Sequence, residues 1–133
     1  MREAAYFWSK DAEVILAPYV QLLVGADKLP EISSPISATP WDYFFNDDLL
    51  VDLKLACKAN IYGRVSHQTL ADIRKSLENG VVVALLVPPR LYLLSPWDIT
   101  WDGTLEALWN RPSVLVPKGV LQQVWSIYER MTN

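Results

Sequence analysis

This chain of 133 residues contains one cysteine, Cys57, and one histidine, His67. A lone cysteine forbids an intrachain disulfide, and small domains of oxidising compartments usually carry several, so a cytoplasmic protein is expected. One cysteine and one histidine also fall short of the three or four closely spaced ligands of a zinc site. They form a conceivable nucleophile–base pair, but His67 opens a capped helix and Cys57 sits between Ala56 and Ala59, so no catalytic residue is assigned. Basic charge is scarce as well: 12 Lys and Arg against 15 Asp and Glu give a formal charge of −3. Arg64, Arg74 and Lys75, the nearest approach to a basic stripe, are interrupted by Asp72 and Glu78, so no nucleic-acid partner is expected. The five glycines stand singly, which excludes a glycine-rich phosphate loop, and there is no Gly-x-Ser-x-Gly elbow. Long apolar runs are missing. The two most apolar stretches, 14–26 and 81–94, are shorter than the ~20 residues of a spanning helix, and both contain proline. No membrane contact, signal peptide, metal or cofactor is expected.

Tryptophan and tyrosine, six of each, are abundant. Two of the tryptophans share a local grammar, Thr39-Pro40-Trp41-Asp42 and Ser95-Pro96-Trp97-Asp98. Each offers a hydroxyl N-cap, a proline at the first helical position and a carboxylate at the third, close to a capping box. Both therefore predict a helix start. The first is followed by a stripe of Trp41, Phe45, Leu49, Leu53 and Ala56, which predicts a helix over 40–62; the second is followed by Trp97, Trp101 and Leu105.

Elsewhere, apolar residues at 4, 8, 12, 15, 19 and 22 predict a helix over 3–24, kinked or split at Pro18 and stopped by Gly25, with short strands at 13–17 or 19–24 as the competing reading. Residues 27–39, with Pro30 and Pro35 among several serines, read as a loop. Ser66 caps a helix that ends at Asn79-Gly80. The β-branched run 81–87 and the apolar run 90–94, separated by Pro88-Pro89, predict neighbouring strands, and 113–116 is a candidate third. A last helix spans 117–131. The expected architecture is a single α+β domain over 1–133, with a sheet of two to four strands centred on 81–95 and three to four helices.

Asp42, Asp47, Asp48 and Asp52 are candidate oxygen ligands, but they lack the spacing and turn glycine of a calcium loop. Asp42, Asp98 and Asp102 each follow a tryptophan, the pairing that a sugar site would use, although capping already employs the first two. Tryptophan is favoured in interface hot spots as in cores. Poverty of reactive side chains, acidity and aromatic excess together predict a non-catalytic protein-binding module, such as an inhibitor or immunity-type protein that neutralises a partner protein. Its expected surface is Trp41, Asp47, Asp48, Trp97, Trp101 and Asp102. Two alternatives are a small-molecule or carbohydrate-binding domain, or weak carboxylate-dependent hydrolase, around Trp97, Trp101 and Asp98, and a subunit that self-associates as a homo-oligomer.

Overall fold

The stripe from Trp41 to Leu53 steps by four, and four is a multiple of two as well as about one helical turn, so it also fits one face of a strand. The strand reading wins. The computed structural model of the chain describes residues 2–33, 41–46, 48–56 and 63–132. Over the predicted helix 40–62 it shows a hairpin of strands β2 (Tyr43–Phe45) and β3 (Leu49–Leu55). Three consecutive aromatics suit a pleated surface. Asn46, at φ 52°, turns the chain through the left-handed region that asparagine tolerates. Tyr43, Phe45 and Val51 are buried on one face, and Asp52 and Lys54 alternate to the other. Thr39, Pro40 and Cys57 lie outside the described residues.

The hairpin belongs to a sheet of six strands, not two to four. Strand β1 (Glu31–Ile32) falls inside the segment read as loop, β4 is Val82–Val87, β5 Arg90–Leu94 and β6 Ser113–Leu115. The strands lie in chain order, all neighbours antiparallel except β3 and β4. That parallel step needs a crossover. Helix α2 (His67–Glu78) occupies it, with the Ser66 hydroxyl accepting from Thr69 N at 3.1 Å.

Helix α1 (Arg2–Val24) runs unbroken through Pro18. An interior proline costs about 3 kcal/mol. Burial of Leu16, Val20 and Leu23 returns roughly 1.5–3 kcal/mol apiece, which outweighs it. The helix ends in a Schellman motif, with Ala26 N donating to Gln21 O and Gly25, at φ 73°, to Leu22 O. It packs with α3 (Lys118–Thr132) on one sheet face, over Tyr43, Phe45, Val51, Ala84, Leu86 and Leu91. On the other face α2 and the excursion between β5 and β6 cover Val83, Leu85 and Leu94 with Ile73, Leu77 and Leu108. Among the described residues no helix is long and apolar enough to cross a membrane.

Candidate functional site

The excursion from Ser95 to Arg111 gathers three of the predicted site residues. The second Pro-Trp-Asp segment opens only a 3-10 turn, Pro96–Asp98, rather than a helix carrying Trp97, Trp101 and Leu105 on one stripe. Asp98 still reaches back as a capping carboxylate: Oδ2 accepts from Ser95 N at 2.9 Å. Its other oxygen, Oδ1, lies 2.7 Å from Arg111 Nη1, so this buried carboxylate ties the two ends of the excursion together. Gly103, at φ 90°, and Asp102, whose Oδ1 accepts from Thr104 N at 3.0 Å and Thr104 Oγ1 at 2.8 Å, turn the chain where a helix would have continued.

The middle of the excursion is strapped to the segment preceding α2. Val65 N donates to Gly103 O at 2.9 Å and Leu105 N to Gly63 O at 2.8 Å. The Arg64 guanidinium holds Asp102 O and the Arg74 guanidinium holds Trp101 O, each at 3.0 Å. Trp101 packs half-buried against the core, and its indole N–H donates to Thr104 O at 3.0 Å. Trp97, by contrast, is 77% exposed, and Trp109, in the 3-10 segment Glu106–Asn110, is 74% exposed. An indole is normally the kind of side chain a fold hides.

Two concavities meet at Trp97. One, about 350 Å³, is lined by Trp97, Asp98, Thr100, Trp101, Asp102, Ala107 and Arg111. The other, about 340 Å³, is apolar and lies over Val24, Leu49, Val82 and Leu93. The Asp102 carboxyl is exposed, and its hydrogen bonds from Thr104, with a smaller contribution from Arg64, hold it below the usual carboxylate range. It therefore presents a fixed negative charge. A larger groove, about 450 Å³ between α1 and α3, contains none of the predicted site residues.

Of the remaining predicted residues, Trp41 and Asp48 are not brought together. Phe45 lies opposite Leu49, so the hairpin closes at exposed Asp48, at the sheet end where β5 runs out into Trp97. Trp41 is at the far end of β2, its ring 5.6 Å from that of Phe44. Asp47 lies outside the described residues. Trp109, the second exposed indole, was not singled out by its sequence; the one available signal is its place beside Leu108, whose burial turns its neighbour outward.

A second polar cluster lies at the start of β2, also beyond what the sequence suggested. Asp42 does not cap a helix. Its Oδ2 accepts from Leu53 N at 2.7 Å, which sets its carboxyl beside those of Asp52 and Glu13. Burial raises Asp42, opposed by the neighbouring Asp52 carboxyl and by the hydrogen bond from Leu53 N. Asp52 is pushed up to about 7, by burial first and then by Asp42, with Lys54 and Ser76 acting in the opposite direction. Among the described residues no group of three or more His, Cys, Asp or Glu is arranged to hold a metal ion. No protein-family model, curated protein or solved structure matches the chain.

Proposed function

We propose that this protein is a non-catalytic binding module whose partner is another protein, gripped through Trp97 and Trp109. The observation that carries this reading is that two indoles stand about three-quarters exposed, 77% for Trp97 and 74% for Trp109, on a loop braced by an ion pair from Arg111 to the buried Asp98 carboxylate. A rigid aromatic anchor loses little conformational freedom on binding, and tryptophan is the residue most enriched in interface hot spots. The chain's net charge of −3 and the fixed carboxylate of Asp102 suit a partner of basic surface charge. An inhibitor or immunity-type protein that covers a basic partner is the finer form of this reading.

The concavity beside Trp97 and Trp101 favours a second reading, a bound sugar or other small molecule. Hydrolysis there has less support, because both Asp98 oxygens are engaged, by Ser95 N and Arg111, and Asp102 is engaged by Thr104. The test places a photo-reactive amino acid at 97, at 109 and, as control, at 125, which is 41% exposed on another face. The reading expects one basic protein cross-linked from 97 and 109 but not from 125. Cross-linking of a second copy of the chain would favour self-association. Equal adducts from all three positions, or none, would count against a specific surface.

A further inference from the structure

We propose that the carboxyls of Asp42 and Asp52 share a proton that latches the β1–β2 edge of the sheet to the core, and that withdrawing this proton loosens that edge. The backbone shows why Asp42 is the node. Pairing of β2 with β3 stops at Tyr43 opposite Val51, while β3 continues to Leu55. The Asp42 side chain takes the next donor on that side, Leu53 N, at 2.7 Å, and Asp42 N donates to Val51 O at 2.9 Å. Its carbonyl accepts from Ser33 N at 3.0 Å, just beyond the end of β1. One residue thus joins β1, β2 and β3.

Charged and polar groups from α1, β3 and α2 act on the pair. From α1 come Glu13, whose charge acts on Asp42, and Lys10, whose ammonium is 2.8 Å from Glu13 Oε2 and also donates to Ser33 Oγ. Tyr43 of β2, buried on the opposite face, fixes the backbone of Glu13: its phenol donates to Glu13 O at 2.6 Å, and Glu13, Asp42 and Tyr128 of α3 all act on it electrostatically. From β3 the Lys54 ammonium lies 3.1 Å from Asp52 Oδ2, and from α2 Ser76 Oγ donates to the same oxygen at 2.8 Å. The three carboxyls Glu13, Asp42 and Asp52 face two ammoniums, Lys10 and Lys54, so the cluster is neutral only while it keeps one proton.

The Asp42 carboxyl sits on Leu53 N, the amide next to Asp52, and two neighbouring carboxyls repel in a partly desolvated site once both are ionised, a repulsion that a proton held between them removes. The elevated position of Asp52, about 7, agrees with this and places the change near neutral pH. The latch is independent of the Trp97 surface, which lies toward the other end of the sheet.

The experiment is amide hydrogen exchange on the whole chain between pH 5 and 9, corrected for intrinsic rate. Leu53 and Ser33 are read against Leu85 in the core of β4. If opening the edge returns Asp52 to an ordinary carboxyl, protection of Leu53 and Ser33 falls roughly tenfold per pH unit up to about 7 and levels off above 8. Leu85 should fall less. In Asp52→Asn, whose amide still donates to Asp42, the Leu53 and Ser33 profiles should be flat. An unchanged pH profile in that variant, or no pH dependence in the wild type, overturns the latch. Should the variant not fold, carbon-13 titration of the wild-type Asp52 carboxyl decides: a midpoint near 7 supports the latch and one near 4 refutes it.

Discussion

Asp98 and Arg111 form one ion pair, yet replacing them should have unequal effects, and the inequality follows from burial. The Asp98 side chain is 5% exposed and that of Arg111 40%. Asp98→Ala leaves the buried Ser95 N–H without its acceptor, worth about 1–3 kcal/mol, and removes a charge-assisted hydrogen bond worth about as much. Arg111, already half in water, re-solvates at little cost. Partial relaxation of the loop brings the expected loss to roughly 3 kcal/mol. Arg111→Ala leaves Asp98 its bond from Ser95 N but no counter-ion. A fully buried pair broken this way loses about 3–5 kcal/mol; water at the guanidinium screens this pair, so about 1–2 kcal/mol is expected. Urea unfolding followed by tryptophan fluorescence is the assay. With a slope near ~2 kcal/mol per molar, Asp98→Ala should lower the midpoint by about 1.5 M and Arg111→Ala by less than about 1 M. An Arg111→Ala loss equal to or larger than that of Asp98→Ala would refute the reasoning, and so would an Asp98→Ala loss under about 0.5 kcal/mol.

The carboxyl cluster should also show in global stability. Asp52 is raised from 3.8 to about 7 in the folded chain, so the folded state holds the proton more tightly. That stabilisation is complete below about pH 4 and is lost as pH rises through 7. The wild-type minus Asp52→Asn difference in unfolding free energy should slope by about −1.2 kcal/mol per pH unit near pH 6 and flatten above 8, measured by denaturant titration. Gly103→Ala forces a side chain onto φ 90° and puts Cβ 3.3 Å from both Leu70 Cδ2 and Val65 Cγ2. It should cost about 1–3 kcal/mol, seen as a lowered melting temperature. Trp97→Phe and Trp109→Phe should each remove an acrylamide-quenchable emitter, while unfolding free energies stay within about 0.5 kcal/mol of wild type, because both indoles stand mostly in water.

Helix α2 and strands β4 and β5 were legible because their signals are local: the Ser66 cap, the Asn79-Gly80 stop, and a β-branched run between Gly80 and Pro88. Residues 41–55 were misread because their apolar spacing serves two periods, and only the Tyr43-Phe44-Phe45 run and the turn at Asn46 separate them. Strand β1 has two residues and no pattern of its own; it exists because the β2 edge is there to pair with. The stripe of Trp97, Trp101 and Leu105 has helical spacing without a helix, since Asp102 and Gly103 turn the chain between them. Of the candidate surface, Trp97, Trp101 and Asp102 do meet around one concavity, while Trp41 lies at the other end of its strand. The Asp98–Arg111 pair and the Asp42–Asp52 contact join residues ten or more apart through the path of loops and the register of strands, which no local spacing encodes.

The central claim is that Trp97 and Trp109 are contact residues held ready on a braced loop. Calorimetric titration of the cross-linked partner, once purified, tests it most directly, with the wild type compared against Trp97→Ala/Trp109→Ala and against Trp125→Ala. Loss of two hot-spot indoles should weaken binding by about a hundredfold or more, and the Trp125 control should stay within about twofold. Equal affinities for all three proteins would contradict the claim.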